Sequence, residues 1–109
     1  MALSLQTIRK RTKFLFVRDK GILIKGKFLN IQFLEDESLD EFIAVGYTAT
    51  KRIGNAVKRN KAKRLMRELA RKVLRKYGKT NSYYVLIAKN SIFRAPFALL
   101  EIELKKLIS

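Results

Sequence analysis

Residues 56–77 place an apolar side chain every three or four positions, with no glycine or proline inside the run. Asn55 precedes the run and Gly78 follows it. At about 100° per residue this pattern predicts one long helix, with Asn55 as its N-cap and Gly78 as a C′-type glycine. Ala62, Leu65, Met66, Leu69, Ala70, Val73 and Tyr77 gather on one side of it as the core face. Asn60, Lys63, Arg64, Arg67 and Arg71 gather nearly opposite, within roughly 100° of arc. A helix with one such apolar stripe must pack on another layer, so whatever surrounds it has to supply that layer.

The elements on either side supply strands. "ILI" at 22–24 and "FLNIQF" at 28–33 are β-rich and separated by Gly26, and "FIAVGYTAT" at 42–50 reads as a third strand. "SYYVLIAK" at 82–89 reads as a fourth, buried on at least one face. Residues 4–20 mix apolar and basic side chains and read as a first helix, capped by Ser4 and ended by Gly21. A last helix starts at Ala95-Pro96, with Pro96 in its first helical position and an apolar stripe of Phe97, Leu100, Leu104, Leu107 and Ile108. The acidic 35–41 segment has no period and reads as a solvated loop, a part of the surface turned away from any polyanion. The order α-β-β-β-α-β-α in 109 residues predicts one α+β domain, residues 1–109. It is a two-layer sandwich in which helices pack on one face of a small sheet and part of the other face stays open for binding.

Charge narrows the partners. The chain carries 25 Lys and Arg against 9 Asp and Glu, a net +16. Such an excess destabilises a compact fold by self-repulsion unless a polyanion is present, which makes RNA, DNA and anionic membranes the candidates. From Lys51 to Lys79 only Glu68 opposes thirteen basic residues. A helix that needed solubility alone would mix Glu with Lys and gain i,i+4 pairs. The basic stripe therefore reads as a phosphate-binding face, its three arginines matching phosphate by their forked geometry. Lys51, Arg52, Lys58 and Lys61 add charge around the helix start, where free N–H groups already favour anions. Gly54 gives the lead-in a conformation closed to other residues. Arg59 does not fit the stripe: either its stem snorkels past the helix start or the first turn is distorted.

The chain contains no histidine and no cysteine. A zinc site, a disulfide framework and a Ser–His–Asp triad are thereby excluded, and no catalytic residue is assigned. The longest apolar runs are too short to span a bilayer, and no long apolar h-region stands near Met1, so a cytoplasmic location is expected. A membrane-surface role is disfavoured because the helix's apolar stripe is needed for the core.

"KRIGNAVKRNKAKRLMRE", Lys51 to Glu68, resembles the signature of the protein subunit of bacterial ribonuclease P. The match falls on Lys51, Arg52, Gly54, Asn55, Ala56, Val57, Arg59, Asn60, Lys63, Arg64, Arg67 and Glu68. It extends to Phe14, Val17 and Gly21, to the Gly46 strand, to the strand ending "IAK" and to the last helix. The resemblance implies an α-β-β-β-α-β-α sandwich with a left-handed β-α-β crossover, where the usual rule favours a right-handed one. It also implies one protein bound to one large catalytic RNA. That RNA, with Mg²⁺, removes the 5′ leader of precursor tRNA, so the protein itself binds no cofactor and needs no obligate protein partner. The basic helix region would contact the catalytic RNA, and a cleft between the first helix and the sheet would hold the leader.

Leader sequences vary, so such a cleft would combine aromatic stacking with phosphate contacts. Phe14, Phe16 and Val17 are the candidates in the first helix, with plain core packing the competing account of the two phenylalanines. On the 28–33 strand either Phe28, Asn30 and Gln32 or Leu29, Ile31 and Phe33 face outward. The first set is favoured, because Asn30 and Gln32 would be poor core residues. Three positions depart from the family pattern: Arg18 stands where a second aromatic is often found, Ser82 where an acid often precedes the fourth strand, and Lys89 where an arginine often ends it. Arg18 and Lys89 would still belong to the cleft, Arg18 replacing the aromatic stack with either a phosphate contact or a guanidinium stack. On composition alone, a ribosomal or general rRNA-binding protein without an enzymatic role is the alternative.

Overall fold

The computed structural model describes residues 3–109. A five-stranded mixed sheet is built from β1 (Leu5–Thr7), β2 (Ile22–Lys25), β3 (Leu29–Glu35), β4 (Ile43–Thr48) and β5 (Ser82–Ala88), in the order β1-β4-β5-β3-β2. β1, β4 and β5 run parallel, and β3 and β2 continue the sheet antiparallel. Helix α1 (Arg11–Lys20) joins β1 to β2. Helix α2 (Ala56–Leu69) runs through a π-helical segment, Ala70–Leu74, into a last α turn, α3 (Arg75–Tyr77), and so carries the chain from β4 to β5. Helix α4 (Phe97–Ile108) closes the chain.

Both faces of the sheet carry buried apolar side chains, because β5 is central and apolar on both sides. Tyr84, Leu86 and Ala88 face Ala62, Met66, Leu69 and Leu74 of the long helix and Leu100 and Leu104 of α4. Tyr83 and Val85 point the other way, onto Val17 of α1 and Leu39 of the acidic loop. This corrects the expectation that the helices share one face: α1 lies opposite α2 and α4. Each fully buried Leu, Ile or Met contributes about 1.5–3 kcal/mol, and Met66, Leu69, Leu74, Leu100 and Leu104 concentrate that gain under α2 and α4.

Four local readings change. Residues 5–7 form a strand rather than a helix start, and Ser4 caps nothing: its carbonyl accepts from Ile43 N–H at 2.9 Å as β1 docks along β4. The helix proper begins at Arg11. In the long helix, the π segment under-winds the backbone and brings Leu74 into the core. Tyr77, beyond it, is 46% exposed, with Lys105 Nζ 4.2 Å from its ring centroid. Gly78 is extended rather than left-handed. A Cβ there would meet Leu74 O at 2.6 Å and Ile43 Cδ1 at 2.8 Å, so close packing, and not a turn, requires glycine. Pro96 occupies the cap position and the helix begins one residue later, at Phe97.

The acidic loop is anchored rather than merely solvated. Leu39 is buried, and the Asp36 carboxylate accepts from Ser38 N–H at 3.0 Å and Ser38 Oγ at 2.7 Å. Those bonds hold the Asp36 carboxyl below the ordinary carboxylate range. Glu35 pairs with Lys79 at 2.9 Å across its base.

Candidate nucleic-acid interface

The lead-in to α2 is a built corner. Thr50 starts a single 3₁₀ turn, Lys51–Ile53, by accepting from Arg52 N–H at 3.3 Å. Ile53 plugs the core, and Gly54 turns the chain at φ 138°, ψ −151°, a conformation essentially confined to glycine. Asn55 then caps α2, its Oδ1 accepting from Lys58 N–H at 3.0 Å. Arg59 bends back, and its Nη1 donates to Gly54 O at 2.9 Å. Of the two alternatives for Arg59, the snorkelling stem is the one observed, and the first turn is regular.

From that corner α2 presents its basic face outward. Asn60, Arg64, Arg67 and Arg71 are exposed, and Lys63 is half-buried. The one acid of the helix, Glu68, pairs with Arg71 at 2.6 Å, while Arg64 and Arg67 form no ion pair among the described residues. Lys58 and Lys61 flank this face, Lys61 Nζ lying 5.6 Å from the Phe93 ring centroid. Arg67 sits over the Tyr47 ring at 5.9 Å. Burial pushes the Tyr47 phenol above its ordinary range, against the pull of Arg67 and Arg71, so the ring stays neutral beside them.

The second face is less uniform than the sequence suggests. Phe16 is 37% exposed, edge-on to Tyr83 at 5.9 Å and under Lys13 Nζ at 5.7 Å, so its free face is available for stacking. Phe14 lies against the β4 backbone, where a Cβ on Gly46 would be only 2.5 Å from Phe14 Cε1; it is a packing residue, half-buried. Val17 is fully buried in the cluster with Tyr83 and Val85 and lines no cleft; about 100° of helix rotation separates it from the outward Phe16. Arg18 is exposed and pairs with the adjacent Asp19 at 3.0 Å.

On β3, Leu29 and Ile31 face α2, and Asn30 and Gln32 face the α1 side, the favoured parity. Phe28 departs from it. It precedes the strand, where the alternation has not begun, and packs against the α2 and α4 core while Glu103 accepts its N–H at 2.8 Å. Asn30 Oδ1 accepts from Gly26 N–H at 3.1 Å, and Lys89 Nζ donates to Gly26 O at 2.9 Å. Both therefore brace the hairpin as well as lining a cleft of ≈ 670 Å³. That cleft joins Asn30, Ile87, Lys89 and Asn90 to Thr50, Lys51 and Arg52. Residues assigned separately to leader and catalytic RNA thus meet at one end of the sheet. Tyr47, Ile87 and Asn90 were not singled out in the sequence, although Tyr47 shares the parity of the buried Val45 and so had to face α2.

Among the described residues no group of three or more acidic side chains is placed to hold a metal ion, and no helix is long and apolar enough to cross a membrane.

This geometry defines a small basic α+β protein with a cationic helix face on one side of its sheet and a partly open aromatic and polar surface on the other. The ribonuclease P family model matches residues 4–109, and the chain belongs to that family. It is 41% identical over 87 residues to the ribonuclease P protein component of Caulobacter vibrioides, covering 80% of this chain and 58% of that protein's length. It is 39% identical over 87 residues to the Ruegeria pomeroyi protein component, covering 80% and 70% of the two chains. The fold is shared with the RNase P protein of Staphylococcus aureus, with a TM-score of 0.77 at 23% identity, covering 93% of this chain and 90% of that one. It is also shared with that of Thermotoga maritima, with a TM-score of 0.78 at 21% identity, covering 94% of each. Composition alone left a general rRNA-binding protein as the alternative, and it is the family match that separates the two.

Proposed function

We propose that this chain is the RNA-binding subunit of a ribonuclease P holoenzyme. It binds the catalytic RNA through the outer face of α2 and the 5′ leader of precursor tRNA across the α1 side of the sheet, and so assists endonucleolytic removal of the leader. The observation that carries this reading is the separation of two unlike surfaces. Asn60, Arg64 and Arg67 form a cationic face on α2, while Phe16 and Gln32 lie on the opposite side of the sheet, and the two surfaces adjoin at the cleft where Lys51 and Arg52 meet Asn30 and Lys89. One RNA needs the first surface, and a second, sequence-variable strand needs the other.

The chemistry then belongs to the RNA and its Mg²⁺. On this reading the chain's own part is binding and orientation. The same reading implies cytoplasmic action and no obligate protein partner.

The test is leader-dependent affinity. A holoenzyme reconstituted with a bacterial ribonuclease P RNA should bind precursor tRNA more tightly than mature tRNA. Phe16→Ala and Gln32→Ala should shrink that difference and leave mature tRNA binding unchanged. If both variants weaken the two substrates equally, the α1 side of the sheet does not hold the leader.

A further inference from the structure

A second concave site lies between β1 and the outer face of the long helix, with a volume of ≈ 380 Å³. Arg67, Arg71 and Arg75 line one wall, four residues apart along the helix, and Leu3, Leu5 and Tyr47 supply an apolar floor. Three guanidiniums at this spacing repel one another, so helix stability does not account for them. Glu68 engages only Arg71; Arg67 and Arg75 form no ion pair among the described residues. In an ideal helix each step of four residues drifts about 40° around the axis. The π segment between Ala70 and Leu74 under-winds this stretch and keeps Arg75 in line with the other two. The facing wall is fixed: Leu3 N–H donates to Arg75 O at 2.7 Å, and β1 pairs along β4.

The chemistry of the walls selects the ligand. Forked donors on one side call for a phosphate. A phosphate alone would need no aromatic floor, whereas a phosphate carrying a flat ring would use both, and the volume is that of a small-ligand site. We propose that this cleft receives one unstacked nucleotide of the bound catalytic RNA, its phosphate against Arg71 and Arg75 and its base against Tyr47 and the Arg67 guanidinium that lies over that ring. This rests on the function proposed above. The leader is not the source, because Tyr47 faces α2 while Phe16 and Gln32 lie across the sheet.

Two experiments test this. In the first, the free protein is titrated with AMP, ribose 5-phosphate, inorganic phosphate and acetate, followed by NMR at the Tyr47 ring. AMP should bind roughly tenfold more tightly than ribose 5-phosphate, a difference that Tyr47→Leu removes. Arg75→Gln should weaken both. Equal binding of AMP and ribose 5-phosphate, or acetate matching AMP, overturns the nucleotide assignment. In the second, affinity for a ribonuclease P RNA is compared for Arg75→Gln, an exposed site whose substitution leaves the core intact, and for Arg64→Ala. Both should lose affinity. Loss in Arg64→Ala alone overturns the cleft and leaves the function standing; no loss in either overturns the functional reading itself.

Discussion

Arg59 Nη1 and Gly54 O, 2.9 Å apart, close the corner that aims α2. The guanidinium is committed to a carbonyl five residues back, on a glycine in a conformation other residues avoid. Gly54→Ala should cost roughly 1–3 kcal/mol, since φ 138° is strained for any L side chain. Arg59→Met should cost about 1 kcal/mol and lower Tm by several degrees. It should change the salt dependence of RNA binding far less than loss of an exposed arginine does. Thermal melts and salt titrations of the two variants check this; a salt slope in Arg59→Met as shallow as in Arg64→Ala would show that Arg59 contacts phosphate instead.

Glu103 ties α4 to the β2–β3 hairpin. Its carboxylate accepts from the backbone N–H groups of Lys27, Phe28 and Leu29, the latter two at 2.8 and 3.2 Å. Glu103→Ala should destabilise the fold by about 1–3 kcal/mol, because these N–H groups lose a charged acceptor. Hydrogen exchange should rise first at Phe28 and Leu29. Unchanged protection there would mean the hairpin holds without α4.

Stability should fall in alkali through Tyr84. Burial raises its phenol above the ordinary tyrosine range, opposed by the Lys79 N–H that donates to its oxygen at 3.0 Å. The native state then keeps a proton that the unfolded chain releases. The contribution is full below the unfolded value and is lost as pH rises through the folded one. Tyr47 is raised in the same direction, also by burial. Melts taken between about pH 9 and 11 should show a shallower decline for Tyr84→Phe than for the unmodified chain. Parallel declines would remove Tyr84 from the account.

Much of this was legible in the sequence where period decides. The apolar stripe fixed α2 and its outward face, and the alternation on β3 turned Asn30 and Gln32 to the α1 side. The exceptions have physical causes. β1 is three residues long with an alternation too short to read, and only pairing along β4 makes it a strand. The π segment is invisible to a fixed 100° step, so Leu74 was missed and Tyr77 misplaced. Val17 is buried by the direction its helix position faces, and Phe28, placed by strand alternation, precedes the first strand residue, Leu29, so the alternation does not reach it. The Arg75–Tyr47 cleft depends on β1 and the π segment together, so it could not be read before both were known.

Salt dependence tests the α2 face as a whole. The double substitution Arg64→Ala, Arg67→Ala should weaken binding to the catalytic RNA and flatten the slope of log affinity against log salt. The slope should change by about 0.7–0.9 for each phosphate that is no longer neutralised. Lower affinity with an unchanged slope would mean that these arginines act through packing.

The central claim is tested most directly by cleavage. The protein is mixed with a bacterial ribonuclease P RNA at low Mg²⁺ and with precursor tRNA carrying a leader, and release of the leader is followed. Negligible cleavage by the protein alone and strong stimulation of the RNA when both are present are expected. No stimulation, together with tight binding to ribosomal RNA instead, would contradict the claim.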